Sequence, residues 1–118
     1  MRIDLDNDFA RVAVNGHMVP EEAVDLATMA LDNARNEQVG SLILNFKDVT
    51  LTRVLSITEC HEAGQQLARA GRALGKVAVV TRPECVEPHQ FLFVVARNRG
   101  LQVATFANES EAVGWLQA

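Results

Sequence analysis

Tyrosine is absent from these 118 residues, and Trp115 is the only tryptophan. A surface that stacks bases would therefore be poorly supplied with rings. No run of lysine and arginine exists, and the net charge is −4 with acids and bases interspersed. Phosphate binding needs a clustered basic face, so the charge argues against nucleic acid as a partner. No stretch reaches the roughly 18 consecutive apolar residues that a membrane-spanning helix needs. The opening segment MRIDLDNDF is acidic and lacks an apolar core, so export is not expected. The two cysteines, Cys60 and Cys85, are too few for a disulfide framework and form no CxxC pair. A reduced, cytoplasmic setting is the expectation. There is no phosphate-cradling glycine loop, no GxSxG elbow and no HExxH, and no cofactor is implied.

What is present is the composition of an ordinary globular domain, 48% hydrophobic and 22% charged. The length suits one domain over 1–118, able to bury roughly two-thirds of its unfolded surface. RIDLD at 2–6 alternates polar and apolar, Asn7-Asp8 suits a tight turn, and the alternation resumes from Phe9 to Val14. This reads as a hairpin, or as a strand preceded by a short edge strand, with Phe9, Val12 or Ala13, and Val14 inward. Gly16-His17 breaks the pattern.

Pro20 suits a first helical turn, and Glu21, Glu22 and Asp25 load the end that the helix dipole favours for acids. Val24, Ala27, Leu31 and Ala34 share one face. After Gly40, SLILNF reads as a strand covered on both sides. Asp48-Val49 turns the chain. Ser56 to Glu59 (SITE) has the form of a capping box, opening a helix to about Leu74. Its inward face is Ile57, Cys60, Gly64, Leu67, Gly71 and Leu74, with the glycines allowing close approach to the sheet. Gly75 is the stop.

KVAVVT is a second continuous apolar strand and RPECVEP a loop. HQFLFVVARNRG is a short helix and LQVATFA a strand. The last helix opens at Asn108, with Glu111 three residues on, and Val113, Trp115 and Leu116 pin it to the core. The order ββαβαβαβα predicts an α/β fold: a mixed, mostly parallel sheet of four to five strands with about four helices.

The segments GHMVPEEAVDLATMALDNA, LILNFKDVTL, GKVAVVT and GLQVATFANESEAVGWL, in that order, resemble a STAS domain of the SpoIIAA-like group, related to anti-sigma-factor antagonists. The resemblance spans nearly the whole chain. It implies a bacterial-type regulatory module that binds protein partners and is not an enzyme. The family's switch is a phosphorylatable serine in an Asp-Ser-(Ser/Thr)-Gly setting at the start of the second helix. Alignment by the preceding strand puts Arg53, Val54, Leu55 and Ser56 there, so Arg53 and Val54 replace the Asp and the switch serine. Ser56, one turn later, is read as a helix cap, and the hydroxyls of Thr50 and Thr52 as solvated loop groups.

The candidate partner-binding residues are Asp48, Thr50, Thr52, Arg53 and Ser56 in the 47–56 segment, with Phe91, Phe93 and Val94 on the 88–98 helix. The run QFLFVVA is too apolar for all of it to face one side. It is either buried all round or an exposed patch that meets a partner or a second copy, giving a homodimer. Two other readings stand beside this one. The first is a binder of a small apolar ligand or lipid, with a cavity between the second or third helix and the sheet. The second is an enzyme using Cys85 and His89, for which Arg82 and a helix terminus would lower the thiol pKa while Glu84 and Glu87 would raise it. Cys60 and His61, adjacent on a helix, point about 100° apart and cannot serve one substrate. Cys60, His61, Cys85 and His89 lack the spacing of a short zinc motif.

Overall fold

A computed structural model describes residues 2–5 and 9–118, with backbone alone for 2–5. Five strands form one sheet in sequence order: β1 (Arg2–Leu5), β2 (Ala10–Met18), β3 (Leu42–Leu51), β4 (Lys76–Val80) and β5 (Gln102–Phe106). β1 runs antiparallel to β2, which settles the two opening readings in favour of the hairpin; the expected turn at Asn7-Asp8 lies outside the described residues. β2 to β5 are all parallel. The helices are α1 (Pro20–Asn36), α2 (Ile57–Ala70), the single turn α3 (Pro83–Val86), α4 (Gln90–Asn98) and α5 (Glu109–Leu116).

The two continuous apolar runs are central strands with both faces covered, as their composition requires. Leu42, Leu44, Val77 and Val79 face the larger core, which they share with α1, α2 and α4. Ile43, Ala78 and Val80 face the other way, under α5, beside Phe9 and Ala112. Val113, Trp115 and Leu116 pack on that second core as expected. Val12 and Val14 are buried while Ala13 is exposed, which decides the alternation of β2.

Four expectations are corrected. Gly16-His17 does not end β2, and Asp48-Val49 does not turn the chain: Asn15 to Met18 pairs with Asp48 to Leu51. The register passes from Ala13 opposite Asn45 to Asn15 opposite Asp48, so β3 carries one extra residue. That bulge switches which residues face the helices. Leu44 and Phe46 point there before it, Val49 and Leu51 after it. In β2 the parity is kept, Val12, Val14 and Met18 all being buried, and the pattern looks broken only because Gly16 stands at the inward position between them.

Second, α2 ends at Ala70 with Gly71 as its cap, one turn short of Leu74. Gly75 serves a different purpose: its N–H donates to the Gly40 carbonyl at 2.6 Å, and a Cβ there would overlap that oxygen. Third, Gly64 brings α2 close to α4 rather than to the sheet. A Cβ on it would lie 2.6 Å from the Leu92 carbonyl oxygen and 2.7 Å from the Val95 Cβ. Fourth, the expected loop 82–88 contains α3 and a 3-10 turn over Glu87–His89.

Candidate functional site

At the carboxyl ends of the parallel strands the connecting segments rim a crevice, although the unreversed strand order gives the sheet no topological switch point. In this chain the crevice is bordered by the ends of β3 and β4, the first turns of α1 and α2, and the segment 83–89. The 52–56 loop crosses it and is tied down on every side. Thr52 donates its N–H to the Met18 carbonyl at 3.0 Å. Leu55 donates its N–H to His89 Nε2 at 3.2 Å. Ser56 caps α2: its Oγ accepts from the Glu59 N–H at 3.1 Å, and its own N–H donates to Glu59 Oε1 at 2.8 Å. The capping box expected from SITE is complete.

Arg53 is the hub of the loop. Its guanidinium reaches Glu59 Oε1 at 2.7 Å and Oε2 at 2.8 Å, a two-pronged grip. It also pairs with Glu21 of α1 and donates to the Val54 carbonyl at 3.2 Å. One cation thus joins the acidic first turns of two helices to the loop between them. The Arg53 guanidinium, followed by the Ser56 N–H, holds the Glu59 carboxyl well below the usual carboxylate range. Glu59 in turn raises the Arg53 pKa. Sequence reading had Glu21 as dipole compensation and Glu59 as a cap. Neither spacing betrays the shared cation, because Glu21 is 32 residues from Arg53.

The other candidates divide. Thr50 accepts from Arg82 at 3.2 Å, and Arg82 also donates to the Val49 carbonyl at 2.6 Å, so the ends of β3 and β4 are cross-linked. Asp48, Thr50 and Thr52 are exposed. On α4, Phe91 and Val94 are 43% and 37% exposed, whereas Phe93 is half-buried and packs on the larger core. Phe93 therefore presents less of its side chain outward than Phe91 or Val94. Val54 and Ile57, at 56% and 77%, are more exposed than any of them. The helical spacing predicts Ile57 on the inward face of α2, and the structure leaves it in water. The inward row begins instead at Cys60, one turn after Ile57. His61, four residues after Ile57, stacks on Phe91 with ring centroids 6.4 Å apart. The His61–Phe91 stack joins the starts of α2 and α4, which carry the exposed Ile57 and Val94, and Val54 lies in the Arg53 loop just before α2.

Cys85 and His89 come together, but not as a nucleophile and its base. His89 is buried, and its Nδ1 lies 2.9 Å from the Cys85 backbone carbonyl, not from the thiol. Because Nε2 accepts from Leu55, the ring proton sits on Nδ1 and donates to that carbonyl. Both nitrogens are spent on holding backbone. Cys60 is buried, and burial raises its thiol pKa, the mark of an unreactive packing cysteine. Among the described residues no three His, Cys, Asp or Glu side chains gather to hold a metal ion. None of their helices is long and apolar enough to cross a membrane.

No family profile and no curated protein matches the chain. Solved structures do. The anti-sigma factor antagonist SpoIIAA in its unphosphorylated form superposes with a TM-score of 0.57 at 15% identity, over 99% of this chain and 97% of that one. The protein TM1081, solved by NMR, superposes with a TM-score of 0.58 at 20% identity, over 98% of this chain and 86% of that one. At such identities the likeness speaks for architecture. The chain has the fold of the anti-sigma factor antagonist SpoIIAA, the STAS architecture that its ordered segments resemble.

Proposed function

We propose that the chain is a non-enzymatic, single-domain interaction module that docks a protein partner through the side bearing the Arg53 loop. The reading rests on one observation: Val54, Ile57, Phe91 and Val94 are large apolar side chains left in water beside a loop that is fully tied down. Apolar side chains grouped at a surface mark contact sites more often than chance. A pre-ordered loop loses little entropy on binding, so its contacts translate into affinity. SpoIIAA, whose fold this chain shares, is an anti-sigma factor antagonist, a role exercised on another protein.

The module works without the family's phosphoserine switch. Alignment by the preceding strand puts Arg53 and Val54 at the positions of the Asp-Ser pair, and the Ser56 hydroxyl is engaged as the cap of α2. An arginine fixed between Glu21 and Glu59 holds the loop in one state where phosphate would otherwise reset it. A cytoplasmic, bacterial setting fits this role.

Two substitutions test it. Ile57→Glu and Val94→Glu place charges on the patch without touching the core. Both variants should keep the wild-type circular dichroism. In affinity capture from the source cell they should lose the partner that wild type retains. If the partner is a second copy, light scattering will show a dimer for wild type and a monomer for both variants. Unchanged capture and unchanged mass would remove the patch from the function.

A further inference from the structure

The stripe of α1 that faces the sheet is built from small side chains: Ala23, Ala27, Ala30 and Ala34 are all buried. Where Ala23 and Ala27 lie over Leu44 and Val79, these short side chains do not fill the gap. A partly open pocket of about 110 Å³ remains between the sheet and α1, α2 and α4, with Leu92 and Phe93 lining it from α4. Cores are close-packed, with few voids larger than a water molecule, and an unfilled hole weakens the fold. Retaining one of this size needs a reason.

Its wall carries no charged side chain. Of its polar groups, His89 has committed both ring nitrogens to backbone. Thr81 supplies a hydroxyl and Cys85 a thiol. A bound water needs two to four polar partners, so the site suits water poorly. The fully buried lining residues, such as Ala27 and Leu44, lie deep. Of the seven half-buried ones, Leu51, Leu55, Thr81 and Cys85 lie at the carboxyl ends of β3 and β4 and in the segments beside them, while Val24, Phe46 and Phe93 lie on α1, at the β3 bulge and on α4. The opening therefore faces the carboxyl-end rim of the sheet, beside the loop that carries Leu55.

We infer that this cavity is a binding site for a compact, neutral, apolar group the size of a single six-membered ring, with room for one hydrogen bond at Thr81. An apolar cavity of about 150 Å³ takes up benzene, so the present, somewhat smaller volume is of the order of one ring and seats at most the end of an acyl chain. No cation lines the wall to meet a carboxylate, so fatty acids are disfavoured on charge as well as size. The site goes beyond the docking role proposed above, but it touches the same loop. Leu55 lines the cavity, and its N–H is held by His89, which lines it too. A group seated there presses on the residue that joins the cavity to the docking loop.

Benzene titrated into the isotope-labelled protein is the test. Saturable methyl shifts are expected at Leu44, Val79 and Leu92, together with a shift of the Leu55 amide, and the melting temperature should rise with benzene concentration. Ala27→Leu fills the space from α1 and should weaken binding by roughly tenfold or more while the fold is kept. If that variant does not fold, xenon applied to the wild type decides, with shifts expected at the same three methyl positions. Absence of saturable shifts with benzene, shifts confined to Ile57, Phe91 and Val94, binding unchanged in a folded Ala27→Leu, or wall methyls that ignore xenon would each overturn the assignment.

Discussion

Arg53 shows how one side chain converts three sequence features into a site. Its two-pronged bond to Glu59 and its pairing with Glu21 fix the loop. The acid sensitivity follows from the sign of the Glu59 shift. Because the folded-state pKa is depressed, Glu59 contributes stability above the ordinary glutamate pKa of about 4.3, and this contribution is lost as pH falls below that value. Arg53→Met should raise the Glu59 titration toward the ordinary range, with the Ser56 N–H still holding it below, followed by the chemical shift of its carboxyl carbon. A titration unmoved by the substitution would mean that the Ser56 N–H alone sets it. The pair is exposed, so salt should weaken it.

Gly64 is a second residue whose identity is dictated by space. With the Leu92 carbonyl 2.6 Å from where a Cβ would stand, Gly64→Ala must push α2 from α4. We expect a loss of about 1–3 kcal/mol in urea unfolding, the range for overpacking. A neutral or stabilising result, as helix propensity alone would give, would show that the two helices yield.

At the level of elements, caps and apolar runs were legible because their causes are local. Ser56 and Glu59 lie three residues apart and form the box that their types announce. Asn108 likewise accepts from the Glu111 N–H at 2.9 Å, although Glu111 turns to the Asn108 side-chain amide rather than its backbone. Ser56→Ala should cost about 1 kcal/mol, and Ser56→Asp should recover most of it, both read by thermal or urea unfolding. A loss in Ser56→Asp equal to that in Ser56→Ala would deny the capping role.

What the sequence hid depends on distant partners. Asp48-Val49 has turn chemistry, yet eight residues of β2 and β3 pair across that point because the bulge near Phe46 and Lys47 lets the ladder resume. Ile57 keeps helical phase with Cys60 and Leu67, but phase does not say which of these positions a neighbour covers. The Arg53 clamp and the bond from Leu55 to His89 join residues 32 and 34 apart. The cavity appears only when α1, α2 and α4 are laid on the sheet.

At the scale of the molecule, a parallel sheet with α1, α2 and α4 on one face and α5 on the other gathers everything noteworthy at one end and one side. The carboxyl-end crevice, the clamped loop and the exposed apolar side chains are neighbours because β3 and β4 deliver their loops together. That His89 bonds only backbone argues for a structural use of the one buried histidine. The central claim is that the face bearing Ile57 meets a protein partner. A photo-crosslinking amino acid placed at Ile57 in the source cell measures this directly. The account predicts a discrete adduct of higher mass at that position and none when the crosslinker replaces Met29, an exposed residue on α1. No adduct at Ile57, or the same adducts from both positions, would contradict it.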